Sequence, residues 1–338
     1  MFLLIINNFK DESVAVLAVV AALAAVYFCN FKTESENDVI FNQFINNYGR
    51  NYANEEEYNM RRHIFMQQLK KVEEHNAKGL SWTLGVNEYS DWTNEEYSQL
   101  LGLKNFRNHN SALPVAHFPV ANADKDIDWR NVDGYVTPVK NQLKCGSCWS
   151  FSATGALEGS YFKKYGKQVR FSESHVVDCD KFSHGCNGGL QENAFVHWMR
   201  FGPISEESYP YEPKDRECQE KKIGAEFPEL PMAFRVDTGD NLLYDALVHQ
   251  PVAISIRAEN DAFRQYKGGI IDGPDCGTEI DHAVLLVGYN QKDNYWIVKN
   301  SWGNTWGESG YVRIKRRDGM GICGINQQNS IPVYEDDF

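Results

Sequence analysis

The chain has 338 residues, enough for one large domain or two modest ones with a sizeable buried core. Its 42% apolar and 24% charged residues are ordinary for a globular protein and argue against wholesale disorder. The formal net charge of −12 argues against a nucleic-acid binder, which needs a basic footprint. Acidic residues outnumber basic ones 14 to 10 before position 123 and 32 to 24 from there on, so the acidity is spread over the whole surface.

Residues 14–28, VAVLAVVAALAAVYF, form an uninterrupted apolar run, long for a signal-peptide core and short for a spanning helix. Ala22-Leu23-Ala24 offers a small-x-small cleavage site, while Lys10 before the run is offset by Asp11 and Glu12. Residues 1–29 are therefore read as a signal peptide or a signal anchor. Either sends the remainder into an oxidising lumen where disulfides persist.

Residues 38–100 read as helices. Asn54 is placed to cap one of them, with Glu57 three residues on in capping-box register, and Gly79 to end it. Phe65, Gln68, Leu69 and Val72 share one face of that helix at helical spacing. From 102 to 125 no period is sustained and two prolines occur, which predicts an extended linker and a domain boundary. A helix follows Cys148 and stops at Gly166. The C-terminal third changes character: PVAISIR, HAVLLVGY, YWIVKN and GYVRIK are short β-prone runs between turn residues.

Eight cysteines stand at 29, 145, 148, 179, 186, 218, 276 and 323. The seven from 145 onward suit three disulfides and one free thiol. Cys145 and Cys148 form a C-x-x-C, a spacing shared by redox dithiols, zinc half-sites, and a structural cysteine beside a nucleophile. Zinc lacks a second ligand pair, so no metal site is expected. A redox dithiol needs a strand ahead of it, and TPVKNQLK is a poor strand. At the start of a helix, by contrast, Cys148 lies near unpaired backbone N–H groups and the positive dipole end, which favour thiolate.

CGSCW at 145–149 matches C-G-[SA]-C-[WY], and His282 in EIDHAVLLVGY and Asn300 in IVKNSWGNTWG lie 134 and 152 positions after Cys148. On these three motifs, residues 123–338 resemble a papain-family cysteine peptidase of the cathepsin L-like branch. Glu57, Arg61, Phe65, Gln68, Val72 and Asn76 resemble one pattern of that branch's propeptide; Gly85, Asn87, Tyr89 and Asp91 resemble another. The resemblance implies an α+β, papain-like two-domain fold, with a helical left domain and a β-barrel-like right domain, preceded by a mostly helical propeptide over 30–122. Cleavage near Ala123 would leave 216 residues.

The resemblance also implies roles. Cys148 is the nucleophile and His282 its proton partner, as a thiolate–imidazolium pair. Asn300 orients the imidazole under Trp302, and Gln142 joins the Cys148 N–H in an oxyanion hole. Cys145 pairs with Cys186, Cys179 with Cys218, and Cys276 with Cys323, leaving Cys29 to the N-terminal segment. Gly188 and Gly189 receive the substrate backbone. Leu190, Gln191, Ser255, Ile280, Asp281 and Gln328 surround the adjoining subsites. Gln191 and Gln328 depart from the apolar pattern, so the second subsite either tolerates polar side chains or turns both amides to solvent.

No insertion between Cys179 and Cys218 closes the cleft, which implies an endopeptidase. Expected partners are protein and peptide substrates, the chain's own propeptide and cystatin-type inhibitors, with no cofactor and no nucleic acid; a monomer is expected. The linker over 102–122 is expected to cross the cleft of an inactive precursor. Asp91 and other propeptide carboxylates would sense the acid that activates it. A lysosome or acidic digestive vacuole is the expected location, secretion the alternative. The rival readings are a catalytically inactive papain-like binding protein and an anchored lumenal adaptor.

Overall fold

The computed structural model describes residues 19, 37–103, 113–219, 227 and 229–334. The apolar run at the N-terminus lies almost wholly outside them, so the choice between signal and anchor is not addressed. Among the described residues, no helix is long and apolar enough to cross a membrane. The described chain divides into two compact units, one ending at Gln68 and the other starting at Leu69.

In the first unit, residues 37–48 form helix α1, and α2 begins at Glu55 and runs to Asn76. The Asn54 side chain accepts from the Glu57 N–H at 2.9 Å, as its capping role requires. Glu57 reaches one residue further back than a capping box predicts, accepting from the Ala53 N–H at 2.8 Å. Phe41, Phe44 and Phe65 form the unit's buried centre, with Phe65 4.6 Å from Phe44 and 5.3 Å from Phe41.

The second unit carries β1 (Trp82–Leu84), α3 (Asn94–Ser98) and β2 (Ile127–Asp128). Helices α4 (Cys148–Tyr165), α5 (Glu173–Cys179) and α6 (Gln191–Phe201) follow. Then come β3 (Met232–Val236), α7 (Asp240–His249), β4 (Val252–Ile256), α8 (Asp261–Arg264) and β5 (Tyr266–Ile271). Strands β6 (His282–Asn290), β7 (Tyr295–Lys299), β8 (Tyr311–Lys315) and β9 (Asn329–Val333) complete it. All four β-prone runs of the C-terminal third are strands. The sheet runs β1-β5-β8-β7-β6-β4-β9-β3 with β2 on β6, so its path is open, ending at β1 and β3, where closure like a barrel was expected.

Helix α4 ends as the sequence predicts. Gly166 adopts φ 62°, a left-handed conformation that costs glycine little, and its N–H bonds the Phe162 carbonyl. What matters for the site is the other end of α4. Cys148, Ser152, Gly155 and Gly159 recur at the spacing of one helical face. That face lies on β6: the Ser152 hydroxyl donates to the Val284 carbonyl at 2.7 Å. A Cβ on Gly155 would come within 2.8 Å of the Leu285 side chain. Glycine here lets helix and strand approach closely, bringing the first residue of α4 towards the first residue of β6. Those two residues are Cys148 and His282.

Candidate active site

The C-x-x-C question resolves by partner. Cys145 is bonded to Cys186, Cys179 to Cys218 and Cys276 to Cys323, and Cys148 is left as a free, buried thiol. Tyr211 secures the loop that delivers it. Its hydroxyl donates to the Gln142 carbonyl at 2.8 Å and lies 2.8 Å from the Ser147 hydroxyl, just before α4.

His282 Nε2 lies 2.9 Å from Asn300 Oδ1. The Ser301 N–H donates to the same oxygen at 2.8 Å, which fixes the amide's orientation. Asn300 Oδ1 is thus an acceptor, Nε2 carries the proton, and Nδ1 keeps its lone pair. That nitrogen is buried and meets no hydrogen-bond partner among the described residues. The Trp302 indole lies over the imidazole with ring centroids 4.9 Å apart and shields the His282–Asn300 bond from water. Phe263 flanks the same ring at 5.9 Å.

Gln142 is completely buried, and its amide is held at both ends. Its oxygen accepts from the Ser301 hydroxyl at 2.7 Å and the Trp302 indole N–H at 3.1 Å. Its nitrogen donates to the Cys145 carbonyl at 2.7 Å and the Leu100 carbonyl at 2.9 Å. A donor suited to a developing oxyanion is already holding a carbonyl of the same chain.

That carbonyl begins a crossing. The Gly102 N–H points at the Cys148 sulfur at 3.3 Å, and the Gly102 carbonyl accepts from the Gly189 N–H at 3.1 Å. The Leu103 N–H donates to the Asp281 carbonyl at 3.0 Å, and its side chain is buried in a cluster with Leu190 and Ala283. No side chain would fit at 102, because a Cβ there would lie 2.1 Å from the Gly146 carbonyl oxygen. The linker therefore enters the cleft two residues earlier than predicted, and residues 104–112 lie outside the described residues.

Coverage changes the electrostatics. Burial pushes the Cys148 thiol up to about 11, against main-chain N–H groups of Ala283, Gly102 and Trp149 that favour thiolate. Burial also pushes His282 down to about 4, although the Asn300 bond opposes it. The sequence predicts a thiolate–imidazolium pair. In the covered state burial works against both charges, because water that would solvate them is excluded.

The predicted subsite residues divide. Gly188 and Gly189 lie against Gly102, and a Cβ on Gly188 would meet the Gly102 oxygen at 2.2 Å. Asp281 contributes its carbonyl only. Its carboxylate accepts from the Ala258 N–H at 2.7 Å, pairs with Arg257 at 3.1 Å, and burial pushes it up to about 6. Gln191 does not turn to solvent: its amide donates to the Ile254 carbonyl at 3.0 Å and the Ser255 hydroxyl at 3.2 Å. Gln328 is half-buried, and its Nε2 meets no acceptor among the described residues. Ile280 is half-buried near Gly324. Sequence reasoning missed Ser301, Tyr211 and the Leu100 carbonyl. Only Ser301, directly after Asn300, had a positional signal.

Residues 123–333 match the model of the papain family cysteine proteases. The chain belongs to that family. Residues 41–97 match the cathepsin propeptide inhibitor domain, so the protein is a cysteine endopeptidase in precursor form, with its inhibitory domain attached. Cysteine protease XCP2 of Arabidopsis thaliana is 40% identical over 306 residues, covering 87% of this chain and 85% of the relative. Cathepsin L of Sarcophaga peregrina is 39% identical, covering 84% of this chain and 89% of the relative. The solved structure of digestive procathepsin L 3 from Tenebrio molitor larval midgut aligns with a TM-score of 0.76 at 32% identity. That alignment covers 88% of this chain and 99% of the other. Peptidase residues 258–265 thus meet propeptide residues 85–97, and the crossing at 100–103 falls between the two matched regions.

Proposed function

We propose that Cys148 attacks the scissile peptide carbonyl once the propeptide, residues 30–122, has been cut away near Ala123. His282 Nδ1 takes the thiol proton and returns it to the leaving amine as the C–N bond breaks. Asn300 holds the imidazole in the tautomer that allows this. Gln142 Nε2 and the Cys148 N–H receive the oxyanion, and water then cleaves the thioester. The observation that carries this reading is the Gln142 amide: four hydrogen bonds orient it, and its nitrogen already holds a main-chain carbonyl beside the free thiol. In mature protein, an epoxide directed at thiols should modify Cys148 alone and abolish peptide hydrolysis, and Gln142→Ala should lower kcat by about 10²–10³. Hydrolysis that survives complete modification of Cys148 overturns the reading, and mature protein that hydrolyses no peptide before modification restores the inactive alternative.

The crossing at 100–103 acts as the inhibitor. It occupies the oxyanion donor through Leu100, the sulfur through Gly102 and the second subsite through Leu103. Covering the dyad moves one proton from imidazole to sulfur without gaining or losing any. The dyad itself is therefore no acid sensor, because opening takes up no proton there. That role falls to carboxylates at the interface. Asp91 is buried, and Asp261 pairs with Lys71 of the propeptide at 2.9 Å.

The second subsite combines an apolar wall, occupied by Leu103, with polar groups at Gln191, Ser255 and Gln328. Leu or Val is the favoured occupant, with polar side chains rejected less sharply than by an all-apolar pocket; a positional peptide library reads this directly. Three disulfides support entry into an oxidising lumen on residues 1–29; a lysosome-like or digestive vacuole is the location proposed, with secretion the alternative. The mature enzyme is a monomer open to cystatin-type inhibitors.

A further inference from the structure

Arg264 ends the four-residue helix α8 and is only 2% exposed, yet its acceptors are not carboxylates. Its guanidinium donates to the Tyr89 carbonyl at 2.6 and 3.2 Å, the Trp92 carbonyl at 2.5 Å and the Asn94 side-chain oxygen at 3.2 Å. It also lies over the Tyr97 ring, 5.0 Å from its centroid. Every one of these partners belongs to the propeptide match and leaves when the propeptide is removed.

The place that is vacated adjoins the chemistry. Tyr97 is wedged between Arg264 and Trp302, with ring centroids 5.6 Å apart on the Trp302 side, and its hydroxyl donates to the Ala258 carbonyl at 2.8 Å. Trp302 covers His282, and Phe263, next to Arg264 in the chain, flanks the same imidazole. The leaving amine must take its proton from His282, so the part of the substrate after the scissile bond passes this flank. Gly189 and Leu190 serve the part before it.

From this we infer that Arg264 is a specificity-determining residue of the mature enzyme, drawing an Asp or Glu side chain of the substrate to the leaving-amine side of the cleft. The inference rests on the peptidase reading above. A guanidinium stripped of neutral acceptors is satisfied best by a carboxylate, which it binds through two parallel N–H bonds. Asp261, three residues earlier, makes no hydrogen bond to Arg264 among the described residues; its side chain is 41% exposed, where Lys71 of the propeptide meets it.

The test uses matured enzyme and peptides that are identical up to the scissile bond, with Glu, Gln or Lys at the first and second positions after it. At low ionic strength, kcat/KM for Glu over Gln should be about five-fold, the size expected of a rim ion pair, and should fall towards one in high salt. Arg264→Gln should erase the ratio and Arg264→Lys should keep part of it. The ratio compares two substrates on one enzyme, so any loss of folded yield cancels. If Arg264→Gln does not mature, the wild-type ratio and its salt dependence decide alone. A wild-type ratio of one, or a ratio unmoved by salt or by Arg264→Gln, overturns the assignment while leaving the peptidase reading intact. Failure to cut any of the peptides overturns both.

Discussion

Between Gly85 and Tyr97 the propeptide grips the peptidase through side chains. Asn87 donates to the Arg264 carbonyl at 2.7 Å, Ser90 to the Gln265 side chain at 3.0 Å, and Tyr97 to the Ala258 carbonyl at 2.8 Å. Between Leu100 and Leu103 it holds on almost entirely by main chain, through the Leu100 carbonyl, both polar groups of Gly102 and the Leu103 N–H. The first stretch chooses its partner; the second only lies where a substrate would lie. Leu103 adds a side chain to the crossing; the groups at the sulfur and the oxyanion donor are main chain. Strength is therefore placed at the flank, and the cover over the sulfur is left to backbone and one glycine.

The largest effect expected from this division is on the thiol itself. Burial under the cover raises the Cys148 pKa and so disfavours thiolate at pH 7. Alkylation of the intact precursor should then rise with pH across the neutral range, while the matured enzyme should already react fully in mild acid. Parallel pH profiles for the two would show that the cover does not control ionisation.

A smaller effect follows from crowding the crossing. Gly102→Ala places a methyl 2.1 Å from the Gly146 oxygen and 3.2 Å from the Cys148 sulfur, and overpacking of this kind costs about 1–3 kcal/mol. Inhibition by added propeptide should weaken by roughly 5- to 150-fold. An unchanged inhibition constant would mean that the flank alone carries the binding.

The smallest change sharpens the other side of the comparison. Tyr97→Phe removes one buried hydroxyl that bonds Ala258, worth about 1 kcal/mol, so propeptide inhibition should weaken by about five-fold. A loss as large as that of Gly102→Ala would put the flank and the crossing on an equal footing.

Much of this was legible in the letters because it is local. The Asn54 cap, the Gly166 stop and the four β-prone runs depend on neighbours a few residues away, and each is present as read. The spacing of Cys148, His282 and Asn300 was legible for a different reason: their residue types in that order carried the resemblance, and with it the three disulfide pairings. The crossing itself was harder. Gly102 carries no signal, since its necessity comes from Gly146 and Cys148, which stand more than forty positions away.

The sequence, through its resemblance, therefore named the candidate atoms: a free sulfur at a helix start, an imidazole at a strand start, and amides at 142 and 300. Tertiary structure decided their condition. Whether Cys148 is charged depends on a cover, whether Asp281 offers carboxylate or carbonyl depends on Arg257, and which way Gln191 points depends on Ile254. Burial and charge balance are set by residues distant in the chain, so no local pattern can report them. Arg264 is the clearest case: an unremarkable letter in the sequence becomes, once folded, a buried cation whose side-chain hydrogen bonds among the described residues all run to groups that are due to leave.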